Sequence, residues 1–142
     1  MQRSPEFWYE RTVMEALAIS LSEGSTQVAS EVRVDGVIDT ATASQLEEVF
    51  ESLLKRGRYR IVVDLAGVDY ISSAGWGIFI ANIRDVRAND GDIKLANMIP
   101  SVYEIYDLLE FDNVLRAYNS VEDARLDFGE TISAESKKKV PR

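Results

Sequence analysis

The chain has no cysteine and no histidine among its 142 residues. Without cysteine there are no disulfides, no thiol nucleophile and no thiolate zinc site. Without histidine there is no Ser-His-Asp triad, no imidazole base and no phosphohistidine relay. A catalyst would have to work with carboxylates, Lys, Tyr or Ser alone. Basic charge is scarce too: 16 Lys and Arg stand against 24 Asp and Glu, a net charge of −8. Nucleic-acid affinity depends on phosphate neutralisation, so this balance argues against direct binding of nucleic acid. No apolar run approaches the roughly 20 residues that cross a bilayer. The N-terminal residues lack the apolar segment of a signal peptide. The reading is a cytoplasmic, acidic protein with no membrane contact. One domain is expected at this length, and 46% hydrophobic residues suffice for an ordinary core.

What is present alternates between strand and helix patterns. Residues 1–12 form an extension that carries three adjacent aromatics, Phe7, Trp8 and Tyr9. It is either an irregular lead-in or a segment that docks on a partner or a second copy of the chain. Val13 to Leu21 and Val28 to Val34 read as two strands of a hairpin, with a turn at Glu23-Gly24-Ser25-Thr26 and a stop at Asp35-Gly36. Thr42 and Gln45 have capping-box spacing, so a helix is expected from residue 42 to Gly57. Its apolar stripe is Leu46, Val49, Phe50, Leu53 and Leu54. Arg60 to Leu65 is a third strand, and the consecutive Ile61, Val62 and Val63 mark it as covered on both faces. A helix from Ile78 to Ala88 follows, with Trp76, Phe79, Ile80, Ile83 and Val86 inward and Asn82 outward. Ile93 to Ala96 is a short strand, and Pro100 opens a helix carried by Val102, Ile105, Tyr106, Leu108 and Leu109. Val114 to Tyr118 is a fifth strand, and Ser120 with Asp123 starts a last helix that runs to Phe128. The fold class is therefore α/β: a mixed, mostly parallel sheet of about five strands with about four helices, starting with a hairpin. The domain spans 13–129. Residues 130–142 read as a basic, flexible tail with four cations against two carboxylates, a local charge of +2.

The stretch Tyr70-Ile-Ser-Ser-Ala-Gly-Trp-Gly77 lies between a strand and a helix. Ser72 and Ser73 there are helix caps, or a place where a phosphate is held or added. Gly75-Trp76-Gly77 does not complete a dinucleotide fingerprint, because Ile80 stands where the third glycine belongs. No Gly-x4-Gly-Lys-Ser/Thr loop exists, and no glycine-flanked serine forms a nucleophile elbow. Asp39, Asp64, Ser72 and Ser73 each follow or end a strand on this reading. In a parallel sheet such positions gather at the carboxyl edge, where they would face a partner.

The chain resembles the STAS domain, the fold of bacterial anti-sigma factor antagonists, over about residues 13–128. The resemblance rests on Gly36-Val-Ile-Asp39, Ile61 to Val68, Tyr70 to Gly77 and Ser120 to Ala124, in that order and spacing. It implies a non-enzymatic binding module without a cofactor. Its partners would be an anti-sigma factor that is also a serine kinase, and a serine phosphatase that resets the switch. Unphosphorylated, such a protein sequesters the anti-sigma factor and frees a sigma factor. The acceptor implied is Ser73, with Ser72 as the alternative, because Ser72 and Ala74 replace the Asp and the Ser or Thr usual around it. The partner surface implied is Asp39, Asp64, Ser72, Ser73, Ala74, Gly75 and Trp76, with Trp76 either core or an interface anchor. Two other readings stand beside it. One is an unmodified STAS scaffold in a larger signalling or transport complex. The other is a small nucleotide-binding protein. Homodimerisation is left open.

Overall fold

A computed structural model describes residues 17–23 and 28–130. The elements in chain order are β1 (Ala18–Ser22), β2 (Ser30–Ile38), α1 (Ala43–Lys55), β3 (Arg60–Ile71) and α2 (Ser73–Ala88). They continue with β4 (Asp92–Ala96), α3 (Pro100–Leu108), a single 3₁₀ turn (Phe111–Asn113), β5 (Arg116–Tyr118) and α4 (Val121–Asp127). The sheet order is β1-β2-β3-β4-β5, antiparallel between β1 and β2 and parallel elsewhere. This is the mixed sheet with an opening hairpin that the alternation of patterns predicts.

Successive side chains of a strand point to opposite faces, and β3 is buried on both. Ile61, Val63 and Leu65 join the main core with Leu46 and Phe50 of α1, Phe79 and Val86 of α2, and Val102 and Tyr106 of α3. Val62 points the other way and packs with Ala29, Ala96 and Ala124 of α4. Three helices therefore cover one face and α4 covers part of the other. Phe50 and Phe79 meet edge to face across the α1–α2 contact, with ring centroids 5.9 Å apart.

Several boundaries differ from the sequence expectation, each for a physical reason. The expected first strand begins at Val13, but residues 13–16 lie outside the described residues, as do most of the expected 23–26 turn, the aromatic triplet and the tail after Glu130. β2 runs on through Asp35-Gly36 to Ile38, because a bulge at Gly36 (φ 124°) absorbs the turn-like residues without ending the ladder. β3 continues six residues past Leu65. α2 begins at Ser73, not Ile78. Asn82, expected to face out, is buried between α1 and α2, where its amide donates to the Ile78 carbonyl at 2.8 Å and to Glu47 at 3.3 Å. The Thr42–Gln45 capping box does not form. The Thr42 hydroxyl donates to the Val37 carbonyl (2.7 Å), and the Gln45 side chain accepts from the Leu17 N–H (3.1 Å). At the other end of the chain, Ser120 does cap α4, accepting from the Asp123 N–H at 3.0 Å. β5 is shorter than expected because Phe111–Asn113 wind into the 3₁₀ turn and delay the strand to Arg116.

Candidate functional site

The extra length of β3 builds the site. Val37 and Ile38 of β2 pair with Tyr70 and Ile71, so both strands end together at one edge. The Ser72 N–H then donates to the Ile38 carbonyl (2.8 Å) and its own carbonyl accepts from the Trp76 N–H (2.9 Å). Ser72 is extended (φ −79°, ψ 173°), and its Oγ accepts from the Gly75 N–H at 3.3 Å. It is the N-cap of α2, and its hydroxyl oxygen is engaged as the acceptor of that bond. Ser73 is the first helical residue; its side chain is exposed and has no hydrogen-bond partner among the described residues. The two hydroxyls therefore have different work. Backbone N–H groups of a first helical turn lack intrahelical acceptors and carry partial positive charge. Ser73 stands among them.

Gly75 and Trp76 lie beneath this surface. A Cβ at Gly75 would stand 2.7 Å from the Ile38 Cγ2, 2.8 Å from the Ile71 Cγ2 and 3.0 Å from the Ile38 carbonyl oxygen. Only glycine lets α2 start this close to the strand ends. Trp76 is 2% exposed and packs against Phe79, Tyr106 and Phe111, the last at 4.8 Å between centroids. It is core, not an available anchor. Its indole N–H finds no acceptor among the described residues.

The two aspartates separate. Asp39 follows β2 at the same edge as Ser72, where its carboxylate accepts from the Ala41 N–H (2.9 Å) and the Thr42 N–H (3.1 Å) and shapes the entry to α1. Asp64 does not end β3. It lies mid-strand beside Arg33 and Ala96, buried, and its carboxylate accepts from the Ala66 N–H, the Asn97 amide (both 3.1 Å) and the Arg33 guanidinium (3.5 Å). Seven residues of strand, 65–71, separate it from Ser72, roughly 25 Å. The structure thus gathers Asp39, Ser72, Ser73 and Ala74 at one edge and leaves Asp64 elsewhere.

Sequence reasoning missed the apolar ground beside Ser73. Tyr70, Ile80, Ile105, Leu108 and Leu109 are all exposed, Leu108 at 73%. Most of them border a groove of about 270 Å³ between α2 and α3, with Ser73 and Gly77 on its α2 side. The available signal was excess: α3 carries more apolar positions than one buried stripe accepts, and only Val102 and Tyr106 go inward.

A five-stranded sheet with one antiparallel edge strand, three helices on one face and one across the other is the architecture of the STAS domain. The STAS family profile matches residues 23–124, and the chain belongs to that family. Its relatives include BtrV of Bordetella bronchiseptica, assigned to the anti-sigma factor antagonists. BtrV is 33% identical over 95 residues, covering 67% of this chain and 82% of that protein. The solved structure of an anti-sigma factor antagonist from Mycobacterium paratuberculosis superposes with a TM-score of 0.73 at 22% identity, over 82% of this chain and 97% of that one. The Bacillus cell fate determinant SpoIIAA in its phosphorylated form superposes at 0.61 with 18% identity, over 80% of this chain and all of that one. No helix among the described residues is long and apolar enough to cross a membrane.

Proposed function

We propose that this chain is an anti-sigma factor antagonist whose docking is switched by phosphorylation of Ser73. The observation that carries the reading is the division of labour between neighbouring serines: Ser72 is committed to capping α2, while Ser73 presents a free hydroxyl. Family membership supports the partner class, since relatives bear the name anti-sigma factor antagonist. The partner is an anti-sigma factor with serine kinase activity that brings its own ATP, and a serine phosphatase reverses the modification. The chain acts in the cytoplasm as a binding module, without catalysis or cofactor.

The switch follows from charge. A phosphoserine carries roughly −1.5 to −2 charges and three acceptor oxygens. The N-terminus of α2 tolerates that charge within the chain. A partner seated over Ser73 and the adjoining apolar groove would have to bury it, with Asp39 at the same edge adding repulsion. An unpaired buried charge costs several kcal/mol, enough for orders of magnitude in affinity. The fold itself need not change.

The test is peptide mapping of residues 61–84 after incubation with ATP and the kinase that co-purifies with the chain. One phosphate on Ser73 is expected. Ser73→Ala should abolish it and keep binding, and Ser73→Asp should weaken binding about tenfold or more. A phosphate on Ser72 would move the site. No phosphate, with Ser73→Asp binding as the parent does, would overturn the switch and favour the scaffold reading.

A further inference from the structure

Five exposed apolar side chains, Tyr70, Ile80, Ile105, Leu108 and Leu109, gather at or beside the groove between α2 and α3. A contiguous apolar patch of this kind marks an interaction site. We propose that the groove receives a single helix of the partner protein, apolar on one face and basic along its margins. The proposal rests on the docking reading above for who the partner is; the shape and charge of the groove decide which part of it docks.

The walls of the groove select a helix. Both are helices themselves, and their backbone N–H and C=O groups bond within each helix. An extended segment laid between them would find no ladder to join and would bury unpaired backbone groups. A helix arrives with its backbone already bonded and needs only apolar anchors three and four residues apart. Gly77 marks the point of closest approach. It lies inside α2, exposed, on the groove wall. Glycine inside a helix is less favourable than alanine. At Gly75 the packing of the chain itself demands glycine, but a Cβ at Gly77 would meet nothing within 4 Å. The missing side chain leaves room for a second helix to come close to the α2 backbone.

Charge selects the chemistry of that helix. Asp69 borders the narrow end of the groove, beside Tyr70 and Ser101. Glu104 is exposed on α3 one turn before Leu108, and Glu110 is exposed at the far end, between Leu109 and Phe111. None of the three carboxylates is held by a cation among the described residues. Past Ile80 the next charges on α2, Arg84 and Asp85, cancel. Lys or Arg along the margins of a docking helix would face the unmatched carboxylates. A second copy of this chain offers no such helix outside the groove: α1 carries Glu47, Glu48 and Glu51 against Lys55, and α4 carries Glu122, Asp123 and Asp127 against Arg125. The apolar face of the docked helix lies over Ser73 and Gly77, which share the α2 wall. A phosphate on Ser73 would stand inside that contact, away from the basic margins, and would oppose docking by its bulk and its lost hydration.

The test uses the unmodified full chain and a synthetic helical peptide of about 18 residues, with Leu at helical spacing on one face and Lys along its margins. Amide peaks are followed by NMR as the peptide is added. Peaks of Gly77, Ile80, Ile105 and Leu109 should move together and saturate. Leu109→Ser and Gly77→Leu, both at exposed positions, should weaken binding about tenfold, with Val63 and Leu95 peaks in place to report an intact fold. Gly77→Ala should raise the urea midpoint and still weaken binding, which a purely structural role for this glycine would not do. Replacing every Lys of the peptide by Glu should also weaken binding about tenfold or more. Equal binding by the Glu peptide would overturn the basic chemistry. Equal binding by a peptide of scrambled order, movement centred on Glu47, Glu48 and Glu51 of α1, or no movement at all would overturn the site. No kinase or ATP is present, so failure here leaves the phosphorylation reading standing, and failure to phosphorylate Ser73 leaves the groove and its occupant standing.

Discussion

Two adjacent hydroxyls and one missing side chain decide what the start of α2 can do. Ser72→Ala removes the Oγ that accepts from Gly75 and should cost about 1 kcal/mol of stability, measured by urea unfolding, without removing the proposed acceptor. Ser73→Ala should leave the unfolding midpoint within about 0.5 kcal/mol of the parent, because its side chain is exposed and unbonded. Gly75→Ala sets two opposing effects against each other. Alanine favours the helix by up to ~1 kcal/mol, while overpacking against Ile38 and Ile71 costs about 1–3 kcal/mol. Two side-chain contacts under 3 Å and a carbonyl at 3.0 Å let the clash win, so a net loss of stability is expected. A gain in the unfolding midpoint would show that α2 can shift outward at no cost.

At the scale of elements, α3 is the informative one. Its inward face is narrow, Val102 and Tyr106, and its other apolar side chains face solvent. Leu108→Ser should therefore change stability by no more than about 0.5 kcal/mol, while Val102→Ala should cost at least about 1 kcal/mol through the cavity it leaves; thermal melts of both variants check this. The element types and their order were legible in the sequence because periodicity survives tertiary context: Ile61-Val62-Val63 predicted a strand buried on both faces, and Pro100 marked the first residue of a helix. Local capping signals were less legible. Thr42 and Gln45 have the right spacing, yet Val37 and Leu17 claim their side chains. These partners are remote in sequence for Gln45 and on the preceding strand for Thr42. Asp64 was misplaced because its position relative to the edge depends on where β3 ends, and the residues after Leu65 carry turn-like Gly67 and Asp69 that the bulged β2–β3 ladder accommodates. Ser72 and Ser73 were legible as the junction of a strand with a helix, but their division into cap and free hydroxyl required the first turn of α2.

Over the whole molecule, stability should fall on the alkaline side. Burial pushes the Tyr106 hydroxyl up to about 12, and the same group donates to the Leu115 carbonyl. The Lys94 ammonium loses hydration by burial, but its bonds to Asp127 and Tyr118 outweigh that and raise its pKa above the ordinary value. In both groups the folded chain holds its proton more tightly than the unfolded chain. The Tyr106 stabilisation is therefore complete below about pH 10 and is lost as pH climbs from there toward 12, and that of Lys94 is likewise lost only as pH rises through its raised value. Tyr106 alone should account for on the order of 2 kcal/mol, seen as a falling urea midpoint that flattens in Tyr106→Phe. Asp127 runs the other way. Hydrogen bonds from Lys94 and Tyr118 hold its carboxyl below the usual range, so its contribution is present near neutrality and is lost as pH falls below about 4.

The bonds that pin α4 to the underside of the sheet join residues far apart in sequence. Ala29 donates its N–H to Glu130 at 2.5 Å, and Arg125 reaches the Ala29 carbonyl and the Glu31 carboxylate. On a ribosome these partners are made about a hundred residues apart, so the second face stays open until residue 130 has emerged. The hairpin, α1 and the Ser73 edge exist as sequence long before the last clasp can close. A nascent chain would thus finish this fold only once residue 130 is free to pack, and a chain stopped before Ala124 would leave Val62 and Ala96 bare to solvent.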